Sequence, residues 1–265
     1  MLPLRYFARW SKSKNDTEKR LIRALQQERE RRRLAESMVR QLRDGADVPN
    51  TVIMEQTLHA LPEPDASTNK LQVFRTLIPS LKPGKMLDLG SGKGNFSLAA
   101  ARFGWKVTSV DARTVRWPKL EENRSKRTEL VRSVNWVQAD VREFPIRSGE
   151  YDLICILGIL HRLEIDDQVK LLRRCSDTLT LLDVCTALEI AAKEGDYVGK
   201  YHHQGGETRE ERDQIPQTAW GNEFGFRHTE ESLLRLVRDC GYSTMMHMRP
   251  PHRNNYTFYL CLPRP

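Results

Sequence analysis

From Leu71 onward the apolar positions switch between two spacings. Leu71, Phe74, Leu77 and Ile78 recur at helical intervals and stop at Pro79. Short apolar runs of strand length follow at 86–89, 106–110, 134–138, 152–157 and 179–184. Longer amphipathic stretches at 95–103, 115–131, 166–175 and 229–240 separate them or follow them. This alternation predicts an α/β fold, a parallel sheet with helices on both faces. Two last runs, 242–248 and 256–262, flank the turn-rich segment 249–255, which predicts an antiparallel hairpin at the sheet edge.

Upstream of this the pattern predicts one long helix over 16–44. Asp16 or Thr17 caps it, no Pro or Gly interrupts it, and Gly45 follows it. Its apolar stripe, Leu21, Ile22, Leu25, Leu34, Met38, Val39 and Leu42, is broken in the middle by Arg29 and Arg31, Arg32 and Arg33. Such a stripe leaves three uses open: packing on the same chain, pairing into a homodimer, or presenting a basic face. The expected organisation is an arm over 1–50, a linker over 51–70 that holds Pro62 and Pro64, and one domain over 71–265. Within the domain, 185–228 is too long and too aromatic for a plain connector and is expected to be a lid over an acceptor pocket.

Charge sharpens this division. Residues 1–50 hold 13 Lys/Arg against 7 Asp/Glu, whereas the other 215 residues hold 30 against 28. The basicity belongs to the arm, so a nucleic-acid partner would be met there and not by the domain. No run approaches the roughly 18 apolar residues of a membrane span. The five cysteines, Cys155, Cys175, Cys185, Cys240 and Cys261, form no C-x-x-C pair. They predict free buried thiols in a reducing, cytoplasmic setting rather than a disulfide framework or a zinc site.

The candidate chemistry lies where strands end. The first strand runs into Asp88-Leu89-Gly90-Ser91-Gly92-Lys93-Gly94. A dinucleotide fingerprint would place its third glycine at Asn95, so a nicotinamide-type oxidoreductase is disfavoured. Missing side chains at Gly90 and Gly92 allow a ligand close to the backbone, and the Asp88 carboxylate favours a ligand bearing positive charge. Asp111 closes the second strand, where a carboxylate can accept hydrogen bonds from both hydroxyls of a ribose. Asp140, followed by Val141, closes the third and can meet an adenine amine. Leu157 closes the fourth, just before Gly158-Ile159-Leu160-His161-Arg162-Leu163.

In this order these segments resemble the class I S-adenosylmethionine-dependent methyltransferases over about 71–262. More loosely, Gly158 to Leu163 and Phe226 with Thr229-Glu230-Glu231-Ser232-Leu233-Leu234 resemble the branch that includes bacterial sugar O-methyltransferases and tRNA wobble-uridine carboxymethyl transferases. The resemblance implies a Rossmann-like seven-stranded sheet ending in the hairpin. It also implies an S-adenosyl-L-methionine pocket at Asp88, Gly90, Ser91, Gly92, Gly94, Asp111, Asp140 and Val141.

Methyl transfer from a sulfonium needs in-line geometry more than covalent help. A hydroxyl acceptor must also lose a proton, and His161 at the mouth of the fourth strand is the candidate general base, with packing beside the donor as its other reading. Substrate candidates are Asp183 at the end of the fifth strand and, in the lid, Tyr201, His202, His203, Trp220, Asn222 and Glu223. Asp183 would also suit a divalent cation, but no metal is expected. Asp166 and Asp167 are expected to cap a helix. The reading is O-methylation of a small-molecule or saccharide acceptor. The alternative is an RNA- or tRNA-modifying transferase that uses the basic arm. A third class, an interaction protein that keeps the donor fold without activity, is disfavoured by the intact donor motif.

Overall fold

A computed structural model describes residues 66–118, 126–215, 218–248 and 256–264. The long helix, the linker up to residue 65 and the uses proposed for the arm lie outside them. The chain divides into Met1–Asp47 with Thr76–Lys82, and Val48–Arg75 with Pro83–Pro265. In the first unit the described part is the end of helix α1 (Ala66–Leu77) and a 3-10 turn, Ile78–Ser80, that carries Pro79.

The second unit holds the site. Its main sheet has seven strands: β1 (Lys85–Leu89), β2 (Lys106–Asp111), β3 (Asn135–Gln138), β4 (Leu153–Leu157), β5 (Thr180–Cys185), β9 (Tyr242–Met248) and β10 (Tyr256–Pro263), in the spatial order β3-β2-β1-β4-β5-β10-β9. The first five are parallel, and β10 runs antiparallel to both β5 and β9. This is the α/β sheet with a terminal hairpin that the alternation of periods predicts. Every residue of β4 and β5 is buried, as expected for strands covered on both faces. Helices α2 (Asn95–Arg102), α3 (Lys126–Arg132), α4 (Ile165–Cys175) and α6 (Glu230–Asp239) fill the crossovers, and Leu171, Leu172, Leu233, Leu236 and Val237 pack with Leu87, Ile154, Ile156 and Leu182 in one core.

The register brings the carboxyl ends of the strands level. Leu89 sits opposite Val110 on one side and Ile156 on the other. The chain moves outward from β1 to β3 and then returns to place β4 on the other side of β1. The edge beyond β1 and β4 is thus a topological switch point, where open α/β sheets bind ligands.

The segment expected to be a lid contains strands and a helix of its own. Strands β6 (Ala192–Glu194), β7 (Tyr197–His203) and β8 (Phe224–His228) form a separate antiparallel sheet, and the short helix α5 (Arg209–Gln214) lies between β7 and β8. The pairing of Gly199 with His228, Tyr201 with Phe226 and His203 with Phe224 lines up aromatic side chains. Phe226 lies 5.1 Å from the Tyr201 ring and 4.8 Å from the His228 ring, both edge to face. The cross-strand pair of Tyr201 with Phe226 stabilises this sheet face, and His228 extends the stack along β8. Helix α5 starts with a capping box, Thr208 with Glu211, and Thr229 caps α6. Helix α4 begins differently from expectation. Asp166 and Asp167 lie in its first turn and not at its cap, Glu164, so they act on the helix dipole instead.

All five cysteines are buried and free, and no helix among the described residues is long and apolar enough to cross a membrane. Burial lowers the His228 pKa to about 4, so the folded chain holds this ring neutral. The unfolded ring titrates near 6.5. Stability from this group is therefore present above about pH 6.5 and is lost as pH falls toward 4, on the order of 3 kcal/mol once both states are protonated. The expected result is a melting temperature that drops from pH 7 to pH 4.5, less steeply in His228→Gln. An equally steep drop in the variant would contradict it.

Candidate active site

The site starts with the turn after β1. Gly90 and Ser91 both donate their amides to the Val110 carbonyl of β2, at 2.9 and 3.1 Å. Gly90 has φ of +73°, and a Cβ there would stand 2.9 Å from the Ile159 side chain. Only glycine meets both demands. The Asp111 carboxylate then fixes the loop from the neighbouring strand. Its Oδ2 accepts from Gly92 N–H at 2.8 Å and its Oδ1 from Arg113 N–H at 2.9 Å. Gly94 precedes α2 in the left-handed conformation, against the Trp136 indole.

These turns border a cavity of about 450 Å³, a size typical of small-ligand pockets. Gly90, Ser91, Gly92, Asp111, Asp140, Val141 and Leu157 are all in its wall, as the strand-end analysis expects. Two predicted residues stand behind it. Gly94 is displaced toward Trp136. Asp88 is 1% exposed and accepts the Ser97 hydroxyl at 2.5 Å. Its other oxygen, Oδ1, has no hydrogen-bond partner, and burial pushes its pKa up to about 6. An orphaned carboxylate oxygen under a glycine loop fits a cationic ligand on the other side of the loop.

Asp140 has a more specific task than the sequence indicates. Its Oδ1 accepts from the Arg142 backbone N–H at 2.9 Å and from Nε at 3.0 Å, and its Oδ2 from Nη2 at 2.5 Å. Burial would raise the carboxyl pKa, but these Arg142 contacts outweigh it and hold it below the usual range. The guanidinium donates further to the Asn222 side chain at 2.7 Å and to the Trp220 carbonyl at 2.9 Å. Arg113 does the same one strand over. It reaches the Ile215 carbonyl at 2.5 Å and the Thr218 carbonyl and hydroxyl. Two arginines from the β2 and β3 turns thus hold the segment around Thr218, Ala219 and Trp220, which completes the cavity wall.

His161 is not in that wall. It is 2% exposed, and its Nδ1 accepts the Cys185 amide at 3.2 Å. Burial first, then Arg162, Lys70 and Arg227, keep its pKa well below 6.5. A neutral ring that accepts at Nδ1 carries its proton on Nε2, so as placed it is a donor and not a base. Lys70, by contrast, is in the wall. Its ammonium donates to Asp183 Oδ2 at 2.5 Å and lies 3.8 Å over the Tyr256 ring.

Of the other substrate candidates, Trp220 lines the cavity and Asn222 is buried against Arg142. His202 is half-buried and Glu223 is exposed. Tyr201 lines a second cavity with Glu164 and Phe224, and its hydroxyl donates to Glu194 at 2.8 Å. His203 accepts the Gly205 amide at 3.1 Å and packs on Phe224. These two are not brought to the strand-end cavity. No cluster of His, Cys, Asp or Glu suited to a metal exists among the described residues. Sequence reasoning missed Lys70, Arg113, Arg142 and Arg162. For two of them a signal exists: β2 ends in Asp111-Ala112-Arg113 and β3 in Asp140-Val141-Arg142, the same D-x-R with the same aspartate-to-backbone bond.

Residues 86–180 match a protein family described as a methyltransferase domain. No curated protein matches the chain by sequence. Among solved structures, the N-terminal domain of EvdMO1, in the presence of S-adenosylhomocysteine and D-fucose, is similar at 16% identity and a TM-score of 0.55, over 89% of this chain and 96% of that one. The glycopeptide N-methyltransferase MtfA, complexed with S-adenosyl-L-methionine, is similar at 15% identity and a TM-score of 0.52, over 79% and 99%. The 1,6-didemethyltoxoflavin-N1-methyltransferase of Burkholderia thailandensis, with that compound and S-adenosylhomocysteine bound, gives 17%, 0.50, 76% and 81%. At such identities the likeness is one of fold.

Arg142→Gln removes the cation that joins Asp140 to Trp220 and Asn222. Limited proteolysis is expected to cut within 213–222 several times faster than in the unaltered protein. Unchanged cleavage would show that Arg113 and the β7–β8 sheet hold the segment without it.

Proposed function

We propose that this chain, whose residues 86–180 match a methyltransferase domain, transfers a methyl group from S-adenosylmethionine to an oxygen of a small-molecule or saccharide acceptor. The observation that carries this reading is the cavity at the switch point, where Asp111 fixes the glycine turn and stands in the wall. Asp111 would hold the ribose hydroxyls, Val141 and Leu157 would flank the adenine, and Asp140 would meet its amine edge. Bound there, S-adenosylmethionine would supply an activated methyl on a sulfonium. The buried Asp88 carboxylate adds long-range attraction for that cation.

On the acceptor side, Lys70 in the wall and Asp183 behind it would stabilise charge, in place of a histidine base. An acceptor hydroxyl next to the Lys70 ammonium would have its developing negative charge stabilised as its proton leaves to solvent in the open cavity, the oxygen taking the methyl while the sulfonium sulfur keeps the bonding pair, and the buried Asp183 carboxylate orients the ammonium. His161 holds the end of β5 through Cys185 and packs edge to face on Tyr256, beneath Lys70. It acts here as a positioning residue. The D-fucose of the EvdMO1 structure supports a saccharide acceptor. The N-methyltransferases among the similar structures leave the choice of oxygen to the Lys70–Asp183 geometry.

The test is release of S-adenosylhomocysteine from S-adenosylmethionine over a panel of sugars, phenols and amines. Hydroxyl acceptors are expected to be methylated. Asp183→Asn should lower kcat by about 100-fold, the scale of one lost electrostatic contact to the reacting oxygen, with donor affinity unchanged. Methylation of amines alone, or full turnover by Asp183→Asn, would overturn the reading.

A further inference from the structure

Beside the cavity, the turn Leu160–Arg162 lies directly on strand β8. A Cβ on Gly225 would stand 2.7 Å from the Arg162 Cα and from the His161 carbonyl oxygen, so the missing side chain is what lets the turn and the strand meet. The register of β7 and β8 pairs His202 with Gly225 and Lys200 with Arg227. Side chains alternate along a strand, so His202, Lys200 and Arg227 share the face of Gly225, the face on which Arg162 sits. The close packing at Gly225 therefore gathers Arg162, Arg227 and His202 in one place.

Charge there is one-sided. Lys200 is paired with Glu189 at 2.6 Å. The Arg162 Nε donates to the Gly158 carbonyl at 3.0 Å, and among the described residues neither Arg162 nor Arg227 has a carboxylate partner. The Arg227 Nε is buried with no hydrogen-bond partner. Burial lowers the Arg162 pKa, and the neighbouring Arg227 and Arg116 lower it further against Tyr256 and Cys185. Burial lowers His202 too, followed by Arg227 and Arg162. Partly buried guanidiniums that repel one another are costly unless an anion completes them. Their planar forks match the oxygens of a carboxylate or a phosphate. Arg162 also lines the cavity, which places such an anion at the acceptor end.

We propose that Arg162 and Arg227 bind an anionic group of the methyl acceptor, a carboxylate or a phosphate, so that the substrate is an acidic small molecule such as a sugar acid or a sugar phosphate. This deepens the methyltransferase reading and rests on it for the word acceptor; the anion site itself rests only on the two arginines.

The test is calorimetric titration of the full chain at fixed ionic strength, with and without saturating S-adenosylhomocysteine. The probes are inorganic phosphate, glucuronate and glucose. Phosphate or glucuronate is expected to bind in the millimolar range, and glucose much more weakly. The tighter of the two anions identifies the group. Arg227→Gln should weaken anion binding by at least about tenfold, the scale of one lost charged hydrogen bond, while Arg227→Lys keeps most of it and S-adenosylhomocysteine affinity stays within about twofold. Glucose binding as well as the anions, no anion binding at tens of millimolar, or equal binding by Arg227→Gln would each overturn the site. If S-adenosylhomocysteine binds but the anions do not, the anion site falls and the donor reading stands. Anion binding that depends on Arg227 in a chain that takes up no S-adenosylhomocysteine would do the reverse.

Discussion

The shape of the cavity depends on how Asp140 uses Arg142. The carboxylate takes the backbone amide two residues on and two nitrogens of the same residue's guanidinium, so one acid fixes both the turn and the direction of the cation. The guanidinium then reaches across to Trp220 and Asn222. A lone surface ion pair contributes little, but this one is partly buried and its remaining donors are satisfied by the segment it holds. Arg113 repeats the arrangement from the end of β2, where Asp111 also fixes the glycine turn. Two strand ends therefore bind a loop that is more than 70 residues away in sequence and give the cavity its far wall.

A rigid sheet with charged edges divides the chemistry by place. The buried strands β4 and β5 bring Leu157 and Asp183 level with each other, while Asp88 on β1 lies deeper, level with Cys155. On the β1–β2–β3 side the wall presents the glycine turn, Asp111 and Asp140 beside Lys93, Arg113, Arg116 and Arg142. On the β4–β5 side it presents Lys70 and Arg162, suited to an electron-rich acceptor.

Much of this was legible in the sequence. Strand-length apolar runs foretold the parallel sheet and its hairpin, and the Asp or Gly after each of the first four pointed to the cavity wall at Gly90, Asp111, Asp140 and Leu157. The three-stranded sheet was not read, although aromatic residues alternate at Tyr197 and Tyr201 and again at Phe224 and Phe226. Glycines and histidines dilute that period, and the pairing partners are separated by helix α5. Lys70 left no signal at all, since its partner Asp183 is 113 residues away. The arginines after Asp111 and Asp140 were visible as a repeated D-x-R, but an arginine in a turn reads as surface until its acceptors are known. His161 shows the limit from the other side. Residue type suggested a base, and only the amide of Cys185 reveals which nitrogen is occupied.

If the strand-end cavity holds the methyl donor, that site is built on Asp111. Calorimetric titration with S-adenosylmethionine and S-adenosylhomocysteine, on the unaltered chain and on Asp111→Ala, tests it most directly. Micromolar binding of both ligands, weakened by at least about tenfold in Asp111→Ala, the scale of hydrogen bonds to a charged group, is the predicted result. Failure of the folded, unaltered chain to bind either ligand, or equal binding by Asp111→Ala, would contradict it.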